Sequence, residues 1–446
     1  MTGLALDARR DRPSRLVWTI ALPAILTNVA TALFGLADMW AIGRLGDPAA
    51  QGAVELGAKF MMGLLNAFNF LRTGTVALTA QAAGRGEGGA GETLARAFGA
   101  GGAIAAVLLM AMPFAIPLGL DLLDAREAVR AGASAYIEIR YWGAPLWLAN
   151  CVLVGWFIGQ RRVRTVLVVE VAANAVHIAL DLVLVLQFGW GVEGVAAATV
   201  LSEGFKLALL TGIAMRHGAI REAGAAFLRR ATWHAAPMKA LFAMNRDLFA
   251  RTLLLTGAIL IFARSGAQQG PVVLAANGIL FQVFMLSTLI LDGFENASQV
   301  LCGEALGARD RERFRRLVRV NLLWGGVLGL GIAAVYWLAG AQFAASFSTD
   351  AEVRAAAARY MPWVALLPVA GFASFVLDGV FVGAGWTRAM LGTMVAAIAI
   401  YLALLWIDVG LGNDGLWLAF TLFFAARAIG QALVMPRLVR RDFSAS

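Results

Sequence analysis

Cysteine is almost missing from this chain: there are two in 446 residues, Cys151 and Cys302, each inside an apolar run. Two such residues give neither a disulfide framework nor a CxxC metal pattern, and they read as small core residues. Histidine is nearly as scarce, with three residues, His177, His217 and His234, at no HExxH or paired-ligand spacing. No phosphate cradle is present either. The GRGEGG stretch at Gly84 to Gly89 lacks the following Lys-Ser/Thr and any preceding soluble strand, so it reads as a cytoplasmic turn. With no ATP-binding element, the expected energy source is an ion gradient.

Charge is the last shortage. Asp, Glu, Lys and Arg make up 15% of the chain against 60% hydrophobic residues, and the mean hydropathy is +0.74. One soluble core cannot bury that much apolar surface, so a polytopic membrane protein is expected. The formal charge of +9 could suggest nucleic acid, but the basic residues fall in short gaps between apolar runs, where they act as topology signals.

What the chain does have is long apolar runs. Twelve candidate helices cover 15–43, 54–83, 93–120, 132–160, 164–188, 192–215, 240–265, 272–302, 315–341, 355–384, 388–410 and 413–436. The first holds Pro23 near its start and Asp38 near its end, and it is long enough to span a bilayer, which takes about 20 apolar residues. The polar N-terminal stretch has no cleavable h-region, so this first span is expected to be retained. Alternating the loops puts 24 of the 37 basic residues on one side and six on the other. That bias predicts an inner, cytoplasmic-type membrane location with both termini cytoplasmic.

The longest polar gap follows the sixth run and divides the chain into 1–215, a linker at 216–239, and 240–446. A repeat supports the division. VLVGWFIG at Val152 to Gly159 matches VLDGVFVG at Val376 to Gly383, and Tyr136, Gly155, Gly159 and Arg164 match Tyr360, Gly379, Gly383 and Arg388 at the same offset. Six spans per half is an even number, so both halves enter the membrane in the same direction. The expected fold is all-α: two six-helix bundles, an N-lobe and a C-lobe, related by a pseudo-two-fold axis along the membrane normal. Close packing of small residues is the plainer account of the shared glycines.

Polar residues inside the runs are the candidate chemistry, because charges in hydrocarbon are rare and are functional hypotheses by default. Asp38 is one, with an interfacial cap as its plainer alternative. In the fifth run Asn174, His177 and Asp181 fall on one face at about 3.6 residues per turn. Asp38 and Asp181 are the chosen titrating groups, and His177 is either their partner or a satisfied core histidine. Thr199 and Tyr136 are the other polar candidates of this half. Glu203 and Lys206, three apart, are either a pair on one helix or further members of the polar group, with neither reading favoured. In the second half Asp292, Glu295 and Asp378 are buried-acid candidates. Arg72, Arg140, Arg246, Arg251 and Arg427 are their possible partners, structural pairing or snorkelling being the favoured role. Asp350 and Glu352 are expected to be solvated in a loop.

These residues resemble the multidrug and toxic compound extrusion (MATE) transporters, specifically the DinF-like branch. The resemblance is carried by LPAILTNVATALFGLADMWAIGRLG in the first run, FLRTGTVALTAQAAGRG at Phe70 to Gly86 and YIEIRYWGAPLWLANCVLVGWFIG at Tyr136 to Gly159. NRDLFARTLLL at Asn245 to Leu255, LDGFENA and GLWLAF at Gly415 to Phe420 extend it over essentially the whole chain. It implies a secondary efflux transporter rather than an enzyme, with no cofactor beyond a coupling ion, proton first and sodium second. It also implies that Pro23, Asp38, Tyr136, Asp181 and Thr199 belong to an N-lobe cavity whose first helix bends at Pro23. His177 stands where the family commonly has asparagine, a departure that favours protons over sodium because hard cations prefer oxygen ligands. The absence of a carboxylate between Asp247 and the outer end of the seventh run agrees with the DinF-like branch.

The implied partners are amphiphilic organic cations and the lipid bilayer, with no nucleic acid and a monomeric chain. Met39, Trp40, Phe60, Met61, Phe68 and Phe70, with Asp292 and Asp378, are candidates to line the drug surface, core or lipid contact being the favoured reading for each of the methionines and aromatics alone. The rival expectations are a lipid-linked precursor flippase of the same superfamily, a membrane acyltransferase and a passive channel.

Overall fold

The computed structural model describes residues 13–44, 47–86, 90–123, 127–407 and 411–444, and among these it holds helices and no strand. The helices are α1 (Pro13–Gly43), α2 (Pro48–Asn66), α3 (Phe70–Arg85), α4 (Ala90–Leu122), α5 (Glu127–Trp142), α6 (Ala144–Gly159), α7 (Val163–Asp181) and α8 (Gly191–Arg216). They continue with α9 (Ala219–Phe227), α10 (Ala235–Ala267), α11 (Pro271–Gly307), α12 (Arg311–Ala345), α13 (Ala351–Gly383), α14 (Thr387–Ile407) and α15 (Gly412–Phe443). Nine of the described helices are long and apolar enough to cross a membrane. The α5–α6 pair makes a tenth span, and α1 and the α2–α3 pair correspond to the first two of the twelve runs read from the sequence.

Two of the continuous runs read from the sequence are broken. The second span stops at Asn66 and restarts at Phe70; Phe68 N–H donates to the Leu65 carbonyl at 2.9 Å and Asn69 N–H to that of Asn66 at 3.1 Å. Asn66 and Asn69 flank this tightened turn, as suits side chains that compete with helical backbone bonds. The fourth span bends by 47° at Gly143. Pro145 is the cause: its nitrogen has no hydrogen to donate, and its ring crowds the carbonyl one turn back. Span five changes winding instead of breaking. Directly after Asp181 it widens into a π-helical turn, Leu182–Gln187, a feature that concentrates at functional sites. Asp350 is more than a solvated loop residue, since its Oδ1 caps α13 by accepting from Glu352 N at 2.8 Å and Val353 N at 3.0 Å.

The described chain forms two compact units, one of Leu26–Asn245, the other of the chain up to Ile25 together with everything from Arg246 on. Helix α1 is therefore shared between them, and its allegiance changes just after Pro23, which leaves the Thr19 carbonyl without its helical donor. In the unit that resumes at Arg246, Trp18 packs edge-on against Phe294 (5.3 Å) and Trp324 (5.4 Å). The core of that unit is aromatic, with Phe262, Phe284, Tyr401, Trp417, Phe420 and Phe423 all buried.

The shared VLxGxFxG motif does the same job in each unit. A Cβ on Gly155 would lie 2.6 Å from the Arg72 carbonyl oxygen, and one on Gly159 would lie 2.8 Å from that of Val76. A Cβ on Gly379 would collide with the Glu295 carbonyl and one on Gly383 with that of Gln299. In both units, then, a glycine pair lets one helix come close to the backbone of another, with Thr75 and Thr79 also in contact in the first.

Candidate functional site

In the unit Leu26–Asn245, α7 carries four polar side chains down one face: Glu170, Asn174, His177 and Asp181. Glu170, His177 and Asp181 are buried. That face grips the second half of α1 at three points. Nearest the middle of the helix, Thr31 Oγ1 donates to Glu170 Oε1 at 3.3 Å, and Asn174 Nδ2 donates to the Ala30 carbonyl at 3.0 Å. Further along, the His177 Nε2 contacts Asp38 Oδ1 in a short hydrogen bond, and the same nitrogen lies 3.1 Å from Asp181 Oδ2. The imidazole is fully buried, and the two acids are 6% and 1% exposed.

One imidazole nitrogen thus stands between two buried carboxyl groups from different helices. Both Asp181 oxygens are buried and receive no hydrogen bond of proper geometry. An acid in that position is costly as an anion unless a proton or cation is shared with it. One atom from each of Asp38, His177 and Asp181 falls within 4.8 Å of the others, a spacing that a small cation could fill.

Helix α8 closes the other edge of the ring. Ser202 Oγ lies 3.3 Å from His177 Nδ1 and 2.8 Å from the Thr199 carbonyl, and Thr199 Oγ1 donates to the Val195 carbonyl at 3.0 Å. Tyr136 of α5 is buried with Arg140, Asp38, Asp181 and Thr199 as its electrostatic neighbours. Below this group Lys206 Nζ pairs with Glu170 Oε2 at 2.8 Å. Asn150 Nδ2 of α6 donates to Glu203 Oε2 at 2.6 Å. Of the two readings of Glu203 and Lys206, the pair on one helix therefore gives way: each finds its direct partner on another helix, where geometry is better than between neighbours on one turn.

Asp38, Asn174, His177, Asp181, Tyr136 and Thr199 are thus gathered in one neighbourhood, with Ser202 and Glu170 added to it. Glu170 had a signal, since it sits four residues before Asn174 on the same stripe. Ser202 had none beyond standing three after Thr199.

The other candidates lie elsewhere. Met61 is fully buried. Phe68 pairs with Phe70 at 5.9 Å. The side chains of Met39 and Trp40 lie outside the described residues. In the second unit Asp378 is 1% exposed and closely clamped. Arg251 and Arg427 both donate to its Oδ2, and Gln431 Nε2 donates to Oδ1 at 2.5 Å. Asp292 is part-buried one position before Gly293, its carbonyl accepting from Asn296 Nδ2 at 2.8 Å. Asp247 holds Arg246 at 2.8 Å and accepts from Thr387 at 3.2 Å.

One family model, described as MatE, matches the chain twice, at residues 23–183 and 248–407. The chain is 35% identical to the DNA damage-inducible protein F of Escherichia coli (strain K12), over 94% of this chain and 92% of that protein. It is 26% identical to a protein of Agrobacterium fabrum called probable multidrug resistance protein NorM, over 95% and 93% of the two chains. Among solved structures, MATE in the bent conformation matches with a TM-score of 0.89 at 18% identity. MATE in the straight conformation matches with 0.88 at 19%, and both matches cover the whole of each chain. At that identity the likeness speaks for the fold.

Proposed function

Because the chain belongs to the MatE family, we propose that it exports amphiphilic organic cations in exchange for protons, by alternating access. The observation that carries the proton is the contact of one buried imidazole nitrogen with both Asp38 and Asp181. A nitrogen in that place is a poor ligand for sodium, which prefers oxygen, and a good partner for a shared proton. The drug side rests on family membership and on the NorM relative, which is named for multidrug resistance.

In this scheme protons enter from outside and load the Asp38–His177–Asp181 group. Loading changes how α7 holds the far half of α1, which bends near Pro23, and drug is released. Loss of the protons to the cytoplasm restores the straight helix. The chain works as a monomer in an inner membrane with both termini cytoplasmic, as the bias of basic loops supports.

The test is efflux of a fluorescent organic cation from proteoliposomes under an imposed pH gradient. Asp38→Asn is expected to abolish it. Undiminished pH-driven efflux by that variant, or wild-type efflux driven by a sodium gradient alone, would overturn the proton scheme.

A further inference from the structure

The two nitrogens of His177 face different chemistry. Nε2 meets carboxyl oxygens of Asp38 and Asp181. Nδ1 lies 3.3 Å from the Ser202 hydroxyl. That hydroxyl has a second acceptor within reach, the Thr199 carbonyl at 2.8 Å, so its single hydrogen has two places to point.

A neutral imidazole carries one N–H, and its other nitrogen presents a lone pair. A bare Nε2 would set that lone pair against carboxyl oxygens on both sides. A proton on Nε2 instead makes a charge-assisted hydrogen bond, the stronger kind. The neutral ring therefore keeps its hydrogen on Nε2 and accepts the Ser202 hydroxyl at Nδ1. When the ring becomes cationic, Nδ1 gains a hydrogen and needs an acceptor. Ser202 Oγ supplies one by turning its own hydrogen to Thr199.

We propose that His177 takes up and gives up its proton at Nδ1, and that Ser202 is the positioning residue that makes this possible. The balance is simple. An Nδ1–H bond forms with a proton brought by water, the Ser202 hydroxyl rotates about Cβ–Oγ, and no other covalent bond of the protein changes. Nε2–H stays with the acids in both states, while the charge gained on the opposite ring edge alters the strength of the bond by which α7 holds α1. The groups against the ring are Asp38 from α1, Asp181 from α7 and Ser202 from α8, and the charged and titratable groups behind them are Tyr136 of α5, which neighbours both acids, and Arg140, which neighbours Tyr136. Asparagine at this place would have no second proton site. The purpose of the device rests on the proton-coupled reading above, while the tautomer does not.

The scarcity of histidine makes the test direct. His217 and His234 are exposed, so a His217→Gln/His234→Gln background leaves a single ring signal. The full-length protein, labelled with 15N-histidine and placed in liposomes, is titrated by solid-state NMR. The expected neutral form has a bare Nδ1 and a protonated Nε2. Ser202→Ala should shift the Nδ1 resonance to higher frequency without moving Nε2, and Ser202→Thr should restore it. A neutral form protonated on Nδ1 would overturn the proposal. So would an Nδ1 signal indifferent to Ser202→Ala, or a ring that stays doubly protonated throughout. If the tautomer fails while Asp38→Asn still abolishes pH-driven efflux, the coupling scheme stands without this device.

Discussion

His177 Nε2 reaches Asp38 Oδ1 across 139 residues of chain. This contact joins the first span to the fifth at the depth where Asp181 also meets the ring. A bond so distant in sequence gives Asp38 a partner on another helix, where a carboxyl group in hydrocarbon needs one.

His177→Asn should keep the fold, since an amide fits the same space and still bonds a carboxyl group, but it removes a group that titrates. Proton-driven efflux in proteoliposomes is expected to fall by about a hundredfold or more, the usual worth of a positioned proton carrier. Unchanged efflux would show that the acids work without the ring.

Gly159→Val tests the contact between α6 and α3. A Cβ there would already lie 2.7 Å from Thr79 Cβ and 2.8 Å from the Val76 carbonyl. Overpacking of this kind costs about 1–3 kcal/mol. The measurement is detergent-solubilised thermal unfolding, with Gly212→Ala as a control because a Cβ at Gly212 would meet nothing within 4 Å.

Arg427→Met should be severely destabilising. It strips one cation from the buried Asp378 and leaves the carboxylate undercompensated, a loss of about 3–5 kcal/mol. The double variant Asp378→Asn/Arg427→Met is expected to recover part of the loss, because it removes both charges. Equal unfolding temperatures for the single and double variants would refute the clamp.

Much of the site was legible because a helix period gathers residues without any tertiary knowledge. Asn174, His177 and Asp181 fall on one face by spacing alone, and Asp38 is conspicuous as a carboxylate in an apolar run. Pairings were harder. Lys206 has Glu203 three residues away, yet it bonds Glu170, since only the packed structure says which neighbour has the better angle. Asp378, Arg251 and Arg427 were each visible as charges in apolar runs, but their meeting is a property of three packed helices. Ser202 hid for another reason: a serine in a membrane helix ordinarily bonds its own preceding turn, as this one does, and nothing local betrays its second neighbour. The bend at Gly143 had its sign in Pro145, which a count of apolar residues passes over.

The glycine pairs bear on descent. Gly155 and Gly159 rest on the carbonyls of Arg72 and Val76, Gly379 and Gly383 on those of Glu295 and Gln299. After an ancestral duplication, one side of such a joint must keep its glycines, because any side chain would push the helices apart. The other side meets them through carbonyl oxygens and, in the first unit, through the Cβ atoms of Thr75 and Thr79, so its remaining side chains are less constrained. This explains why VLxGxFxG remains recognisable in both halves while its partners, RTGTV at 72–76 and ENASQ at 295–299, share almost nothing. Inheritance here is visible in only one member of each contacting pair.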